Sequence, residues 1–399
     1  MPHFVIRFGS QRKVKKLAYG LIAIVVAGLV AFFTVVPWYV DRSHNALHAG
    51  EPHQSSISAQ SLHTRLRISD LHADSLLWDR DLLKENTWGH VDIPRLIKGN
   101  IALQAFSVVT KTPRGANIER NSATTDNIRL LSIAQRWPPR TWTSLKERAV
   151  YQAQKLHDFA ARSNGTLVIV KSRADLQAYL ARRRTGARVT AGWLSIEGAH
   201  ALEGELANIK ELYNAGFRMI APSHLADSEI GASASGESKG GLSQLGADWV
   251  RAMDSKKMII DLAHASAKTI DDVLNLTTRS VIVSHTGVKG TCNNNRNLTD
   301  EQLKRIAHGG GLIGIGFWEY ATCGKDVQSI VRAIRYTSEL VGVDHVALGS
   351  DWDGYVATPI DAAQISALTG ALQQAGVSDG DVAKIMGENV IAFLGRNLP

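Results

Sequence analysis

The stretch Asp70-Leu71-His72-Ala73-Asp74 decides how the rest of the chain is read. In an extended strand alternate side chains point to the same side, so His72 and Asp74 project together from one face. Two ligand-type side chains side by side make a metal site thinkable. The triplet alone decides little, because short patterns of this kind arise by chance. Its weight comes from the repetition of the arrangement farther along the chain.

From Leu66 onward, short apolar runs alternate with amphipathic segments. Strands are expected over 66–74, 101–109, 190–197, 217–223, 257–263, 280–285, 311–317 and 345–351. Helices are expected at 206–215, 244–256, 267–275, 299–308, 326–341 and 361–375, between most of the strands. Regular alternation of this kind implies a parallel sheet with crossover helices, and eight units imply an α/β fold of the closed (β/α)8 TIM-type barrel. A long insertion at about 111–189 interrupts the rhythm. It contains a helical run near 144–163 and an apolar run at 166–170, an excursion from the barrel rather than a second domain.

The apolar runs end alike. Six of them finish on His72 and Asp74, Glu197, His224, His264, His285 and Asp351. In a parallel barrel every strand's C-terminal end opens onto one mouth, so these side chains are expected to meet in one bowl. Polar residues do close strands wherever strands enter loops, but that rule favours Asn, Ser, Gly and Lys as readily as His. Imidazoles and carboxylates together suit zinc, with manganese, iron or cobalt as imitators. His72 with Asp74 could hold one ion, His264 with His285 another, and Glu197 could bridge them, an arrangement hydrolases use to activate water and polarise a carbonyl. No Gly-x-Gly-x-x-Gly follows a strand and no Cys-x-x-Cys occurs, so no dinucleotide or dithiol redox signature competes.

The constellation resembles the membrane dipeptidase (renal dipeptidase, M19 peptidase) family of amidohydrolase-type barrels over about 66–397. The resemblance rests on the strand-end set together with Lys-Gly-Gly-Leu at 239–242, Ile-Asp-Leu-Ala-His264, Val-Ser-His285, Arg296-Asn297, Gly-Ser-Asp351-Trp-Asp-Gly354 and Met-Gly-Glu-Asn-Val at 386–390. It implies two zinc ions held by His72, Asp74, Glu197, His264 and His285, with Glu197 as the bridge. It implies that His224 polarises the substrate and stabilises the oxyanion, and that Arg296 holds the C-terminal carboxylate of a dipeptide. Asp351 would lie near the substrate amine and move the proton, so the catalytic set is Glu197, His224 and Asp351. Tyr320 is a further candidate for the pocket. A homodimer is also implied.

The 399 residues are 44% hydrophobic and 21% charged, ordinary globular composition. The net charge of +8 implies no nucleic-acid partner, because Arg7, Arg12, Lys13, Lys15 and Lys16 supply five of those charges in an N-terminal tail, 1–16. Leu17 to Val40 then runs without a charge, about 36 Å as a helix at ~1.5 Å per residue, against a hydrocarbon core of ~30 Å. A cleaved signal peptide has a shorter apolar core, and Trp38 and Tyr39 suit a membrane interface, so 17–40 is expected to be an uncleaved anchor in the cell (inner) membrane. The basic tail before it keeps the N-terminus cytoplasmic and sends the rest to the periplasm or cell exterior. The polar stretch 41–64 is expected to be a tether, with His44, His48, His53 and His63 as solvated linker residues, and 65–399 the catalytic barrel.

Cys292 and Cys323 follow successive strands near the mouth, in a compartment that this topology makes oxidising. Their residue context alone leaves free thiols open, whereas the family resemblance implies that they are paired. The chain departs from the mammalian family members in its N-terminal span and in having no apolar C-terminal tail. The Ser-, Gly- and Ala-rich segment 225–238 looks closer to bacterial relatives, so a substrate side-chain preference is not transferable. His90, His157, His200, His308 and His345 are expected to be surface or core residues, and Asp261 and Asp353 to orient ligands or cap loops. A related amide or lactam hydrolase, or a membrane-tethered binding protein without chemistry, are the alternatives to a dipeptidase.

Overall fold

A computed structural model describes residues 9–48 and 56–399. Half of the basic tail, with Arg7, and the middle of the linker, with His53, lie outside the described residues.

The sheet is wholly parallel. Its strands are β1 (Ile68–Ala73), β2 (Ile101–Val109), β3 (Leu167–Ile169), β4 (Thr190–Glu197), β5 (Phe217–Ile220), β6 (Ile259–Ile260), β7 (Ile282–Thr286), β8 (Leu312–Ile315) and β9 (Val346–Leu348). The pairing order is β6-β5-β4-β2-β1-β9-β8-β7. The two ends of that order meet through a parallel bridge between Asp261 and Ile282, where Leu262 N donates to Ile282 O at 2.7 Å. The eight expected strands therefore close the expected barrel in sequence order. β3 is the one addition. β5 pairs only with Leu194–Ile196 of the eight-residue β4, and β3 covers the edge left free at Thr190–Gly192.

Helices flank the barrel close to where the sequence puts them: Gln244–Ser255, Ala267–Leu276, Asp300–His308 and Val327–Val341. Each begins at a side-chain oxygen that accepts the N–H three residues on, from Ser243, Ser266, Thr299 and Asp326 in turn. The segment 111–189 supplies the helices Asn127–Ala134, Leu145–Arg162 and Arg173–Arg184 as well as β3. Along β4 the two-residue period places Ala191, Trp193, Ser195 and Glu197 on one face. The apolar members of that face pack with Leu71, Leu103, Met219, Ile259, Ile282 and Leu312, and with Phe393 and Leu394 of the C-terminal helix Asn389–Asn397. Apolar residues thus fill the barrel below Glu197, while β4 ends on a carboxylate.

The first helix, Gly9–His44, carries the apolar run with most of its side chains exposed, although Pro37 is buried and Val40 partly so. The polar stretch beyond the apolar run is more than a tether. Asp41 and Asn45 are buried, Ile57–Arg65 is a helix, and the buried His63 bonds to Thr369 Oγ1 at 2.9 Å and Gly99 O at 3.1 Å. Polar residues buried with partners leave no apolar periodicity, which is why the sequence reads this stretch as linker.

Candidate metal centre

The expected side chains arrive from six strand ends. His72 is in β1 with Asp74 one residue past it, Glu197 closes β4, and His285 is in β7. His224, His264 and Asp351 lie beyond the strands proper, in the loops after β5, β6 and β9. His264 and Asp351 both adopt φ of 62°, a left-handed conformation that turns the chain sharply at the mouth.

Glu197 is at the centre. Its Oε1 lies 2.7 Å from His264 Nε2, 3.2 Å from His285 Nε2 and 3.8 Å from His72 Nε2, and its Oε2 lies 3.4 Å from His224 Nε2. His72 Nε2 is 3.4 Å from Asp74 Oδ1 and 3.9 Å from Asp351 Oδ1. The His72 and His285 rings are 3.8 Å apart, although 213 positions separate them in the chain. All seven residues are buried.

Three overlapping groups offer ligand atoms within 4.8 Å of one another: His72, Glu197 and His285; Glu197, His224 and His264; His72, Asp74 and Asp351. This donor set fits cations on two grounds. His72 Nε2 and Asp74 Oδ1 are buried without a hydrogen-bond partner, a costly state for polar atoms unless something else meets them. His264 Nε2 and His285 Nε2 lie only 2.9 Å apart against the same carboxylate oxygen, so several lone pairs converge on one small space. Asp351 and His224, expected to serve the substrate, also reach these groups.

The electrostatics agree. Burial holds the His264 and His285 imidazoles well below their usual pKa, so both are neutral with a lone pair to give. Burial also opposes charge on His72, but Asp74, Glu197 and Asp351 outweigh it and push His72 up to about 10. Burial drives Asp351 well above the usual carboxylate range and raises Glu197.

Supporting residues orient the ligands. Ser284 Oγ bonds to His285 Nδ1 at 2.9 Å and His72 Nδ1 at 3.3 Å, while Asp261 Oδ1 accepts the Ser284 and Ala263 amides. Asp70 takes Gln104 Nε2 at 2.6 Å and both the amide and hydroxyl of Ser350. Asp70 was legible, since it precedes His72 by the same two residues that separate His72 from Asp74. Ser284 and Gln104 carried no such mark.

Arg296 is buried beside the cluster. Its Nη2 donates to His285 O at 2.8 Å, and its guanidinium lies 5.6 Å from the Trp318 ring centre. The loop bearing it is tied by the Cys292–Cys323 disulfide, with Cα atoms 5.3 Å apart. Tyr320 is 56% exposed, and the hydrogen bonds described for it use its backbone carbonyl, which accepts from Asn294 and Asn297.

The model of the membrane dipeptidase family, peptidase family M19, matches residues 57–396. The chain belongs to that family. As a member it is a metallo-dipeptidase. It is 27% identical to the dipeptidase aclJ of Aspergillus oryzae over 353 residues, 83% of this chain and 78% of the relative. An uncharacterised protein of Klebsiella pneumoniae, from the pqqA 5′ region, is 31% identical over 254 residues, 60% of this chain and 92% of that protein. Among solved structures, a Rhodobacter sphaeroides metallopeptidase bound to a phosphinate mimic of L-Ala-D-Ala superposes with a TM-score of 0.70 at 22% identity, covering 83% of this chain and 99% of that one. The M19 dipeptidase AC superposes at 0.69 with 23% identity, covering 84% and 99%. At such identities these two structures establish the shared barrel.

Proposed function

We propose that the chain is a membrane-anchored, zinc-dependent dipeptidase in which Glu197 bridges two ions, His72 and Asp74 complete one site, and His264 and His285 complete the other. The observation that carries the reading is the meeting of four imidazoles on one buried glutamate, with His72 Nε2 and Asp74 Oδ1 left without a hydrogen bond. Two divalent cations bound there supply Lewis acidity toward a peptide carbonyl and make water acidic enough to attack at neutral pH.

The chain's own residues then divide the work. His224 Nδ1 lies 3.3 Å from Lys111 O, a carbonyl that only accepts, so Nδ1 carries a proton and Nε2 faces the cluster. To donate to an oxyanion from Nε2 the ring must be imidazolium; burial outweighs Glu197 and holds the ring below its ordinary pKa, so the negative charge of the oxyanion itself must complete the pull on that proton. Asp351 takes the proton that the attacking water gives up and passes it to the leaving amine, and burial, which favours the protonated carboxyl, helps it hold that proton in between. Arg296 presents a planar fork to the dipeptide's carboxylate. Glu197→Ala removes the shared acid and is expected to abolish dipeptide turnover; full activity in that variant would sink the assignment.

The helix from Lys13 to His44, with none of its most apolar stretch buried, supports a single membrane span. The basic residues before it and the disulfide beyond it both favour a cytoplasmic N-terminus and a catalytic domain in an oxidising compartment. Acceptance of a D-residue at the second position is the finer point, suggested by the ligand of the Rhodobacter sphaeroides relative. A panel of L-L and L-D dipeptides, with N-blocked controls, tests it directly.

A further inference from the structure

We infer that the segment joining the apolar helix to the barrel, Asp41–His48, is a positioning clamp for the loop that carries Asp351. That loop follows β9 and is held in an unfavourable shape. Asp351, Asp353 and Tyr355 have φ of 62°, 63° and 64°, three non-glycine residues in the left-handed region within five positions. The loop folds tightly on the Asp351 carboxylate: a Cβ at Gly354 would lie 2.2 Å from Asp351 Oδ1. A shift of residues 353–355 therefore moves that carboxylate, and such a conformation persists only where its surroundings over-determine it.

Part of the restraint comes from the barrel. Ser75 Oγ donates to Asp353 Oδ2 at 2.6 Å, the His90 amide to Asp353 Oδ1 at 2.7 Å, and Trp78 Nε1 to Asp353 O at 2.7 Å. The rest comes from the joining segment. Arg80 is buried between two carboxylates, with Nη2 2.9 Å from Asp353 Oδ2 and Nε 2.9 Å from Asp41 Oδ2. Asn45 Oδ1 accepts the Tyr355 amide at 2.9 Å, Ala46 O accepts the Thr358 amide at 3.1 Å, and the His48 amide donates to Thr358 O at 2.9 Å. The His44 ring stacks on Tyr355 at 3.7 Å between centres. Just before Asp41, Val40 packs against the apolar group that includes Leu77, Trp78, Ile128 and Trp137. A flexible tether needs none of these contacts, and all of them meet the loops at the barrel mouth.

The inference rests on the proton-handling role proposed for Asp351, and the experiment separates the two. Asp41→Ala, Asn45→Ala and Asp351→Asn are made in the full chain in detergent, with Arg67→Ala as a control that breaks an ion pair with Glu388 at the opposite end of the barrel. Dipeptide kcat, KM, metal content and melting temperature are measured for each. Asp41→Ala is expected to lower kcat about tenfold and Asn45→Ala three- to fivefold, with KM and metal content within twofold of wild type, while Arg67→Ala keeps its kcat. If Asp41→Ala does not fold, Asn45→Ala decides alone. Wild-type kcat in the joining-segment variants beside an inactive Asp351→Asn overturns the clamp, as does a kcat loss matched by Arg67→Ala at equal loss of melting temperature. An active Asp351→Asn overturns the role of Asp351 instead.

Discussion

Arg296→Ala tests whether the pocket reads a free carboxylate. The described hydrogen bonds of the guanidinium commit Nη2 to His285 O, which leaves its other N–H groups for a substrate. A charge-assisted hydrogen bond contributes ~1.5–3 kcal/mol, and a bidentate pair is expected to contribute ~3 kcal/mol or more after desolvation. At ~1.4 kcal/mol per factor of ten, kcat/KM for a dipeptide falls on the order of a hundredfold, mostly through KM. The same variant also loses the tie to the His285 carbonyl, so a second substrate is needed to separate reading from scaffolding. Steady-state kinetics on a dipeptide and its C-terminal amide provide it. The amide lacks the carboxylate and is expected to lose no more than about threefold, with Arg296→Lys intermediate on the dipeptide. Equal losses on both substrates, or an unchanged KM for the dipeptide, refute the carboxylate-reading role and favour a hydrolase of another amide or lactam.

Three further outcomes are expected from the same geometry. In the metal-free protein His72 is protonated up to about pH 10, so a cation displaces a proton there; titration calorimetry at pH 7.5 in buffers of different ionisation enthalpy is expected to show net proton release, and none would contradict the ligand role. Its raised pKa also stabilises the metal-free fold fully below the ordinary value of 6.5, a contribution lost as pH rises through about 10. His200 has the opposite sign: burial holds it down to about 4, so stability drops on the order of 3 kcal/mol as pH falls from 6.5 toward 4, and chemical denaturation of His200→Gln is expected to show a flatter slope there. Reducing the Cys292–Cys323 disulfide reopens a loop of 31 positions, a loss of ~3–4 kcal/mol in the chain-entropy view, and frees the segment bearing Arg296; KM is expected to rise before metal is lost.

The barrel and most of its mouth were legible because both leave periodic marks. Apolar runs ended repeatedly on His, Asp or Glu, and that repetition located seven buried residues that lie within reach of one another. The reading was less sharp at the boundaries. β6 is two residues long where seven were expected, because His264 needs an irregular, left-handed approach that a regular strand does not give. Partition of the ligand atoms was also hidden: His285 reaches the His72 group, and Asp351 and His224 enter clusters where substrate roles were expected, since spacing along the chain carries no such distances. The stretch 41–64 went unread for a different reason. Asp41, Asn45 and His63 are buried through polar partners, most of them distant in sequence, which produce neither alternation nor an apolar face.

Elemental analysis of the purified full chain after zinc reconstitution bears most directly on the central claim. Wild type is expected to hold two zinc ions per chain and Glu197→Ala fewer than one, because the carboxylate that both sites share is gone. Less than one ion per wild-type chain, or two ions retained without Glu197, would contradict a binuclear centre built around that acid.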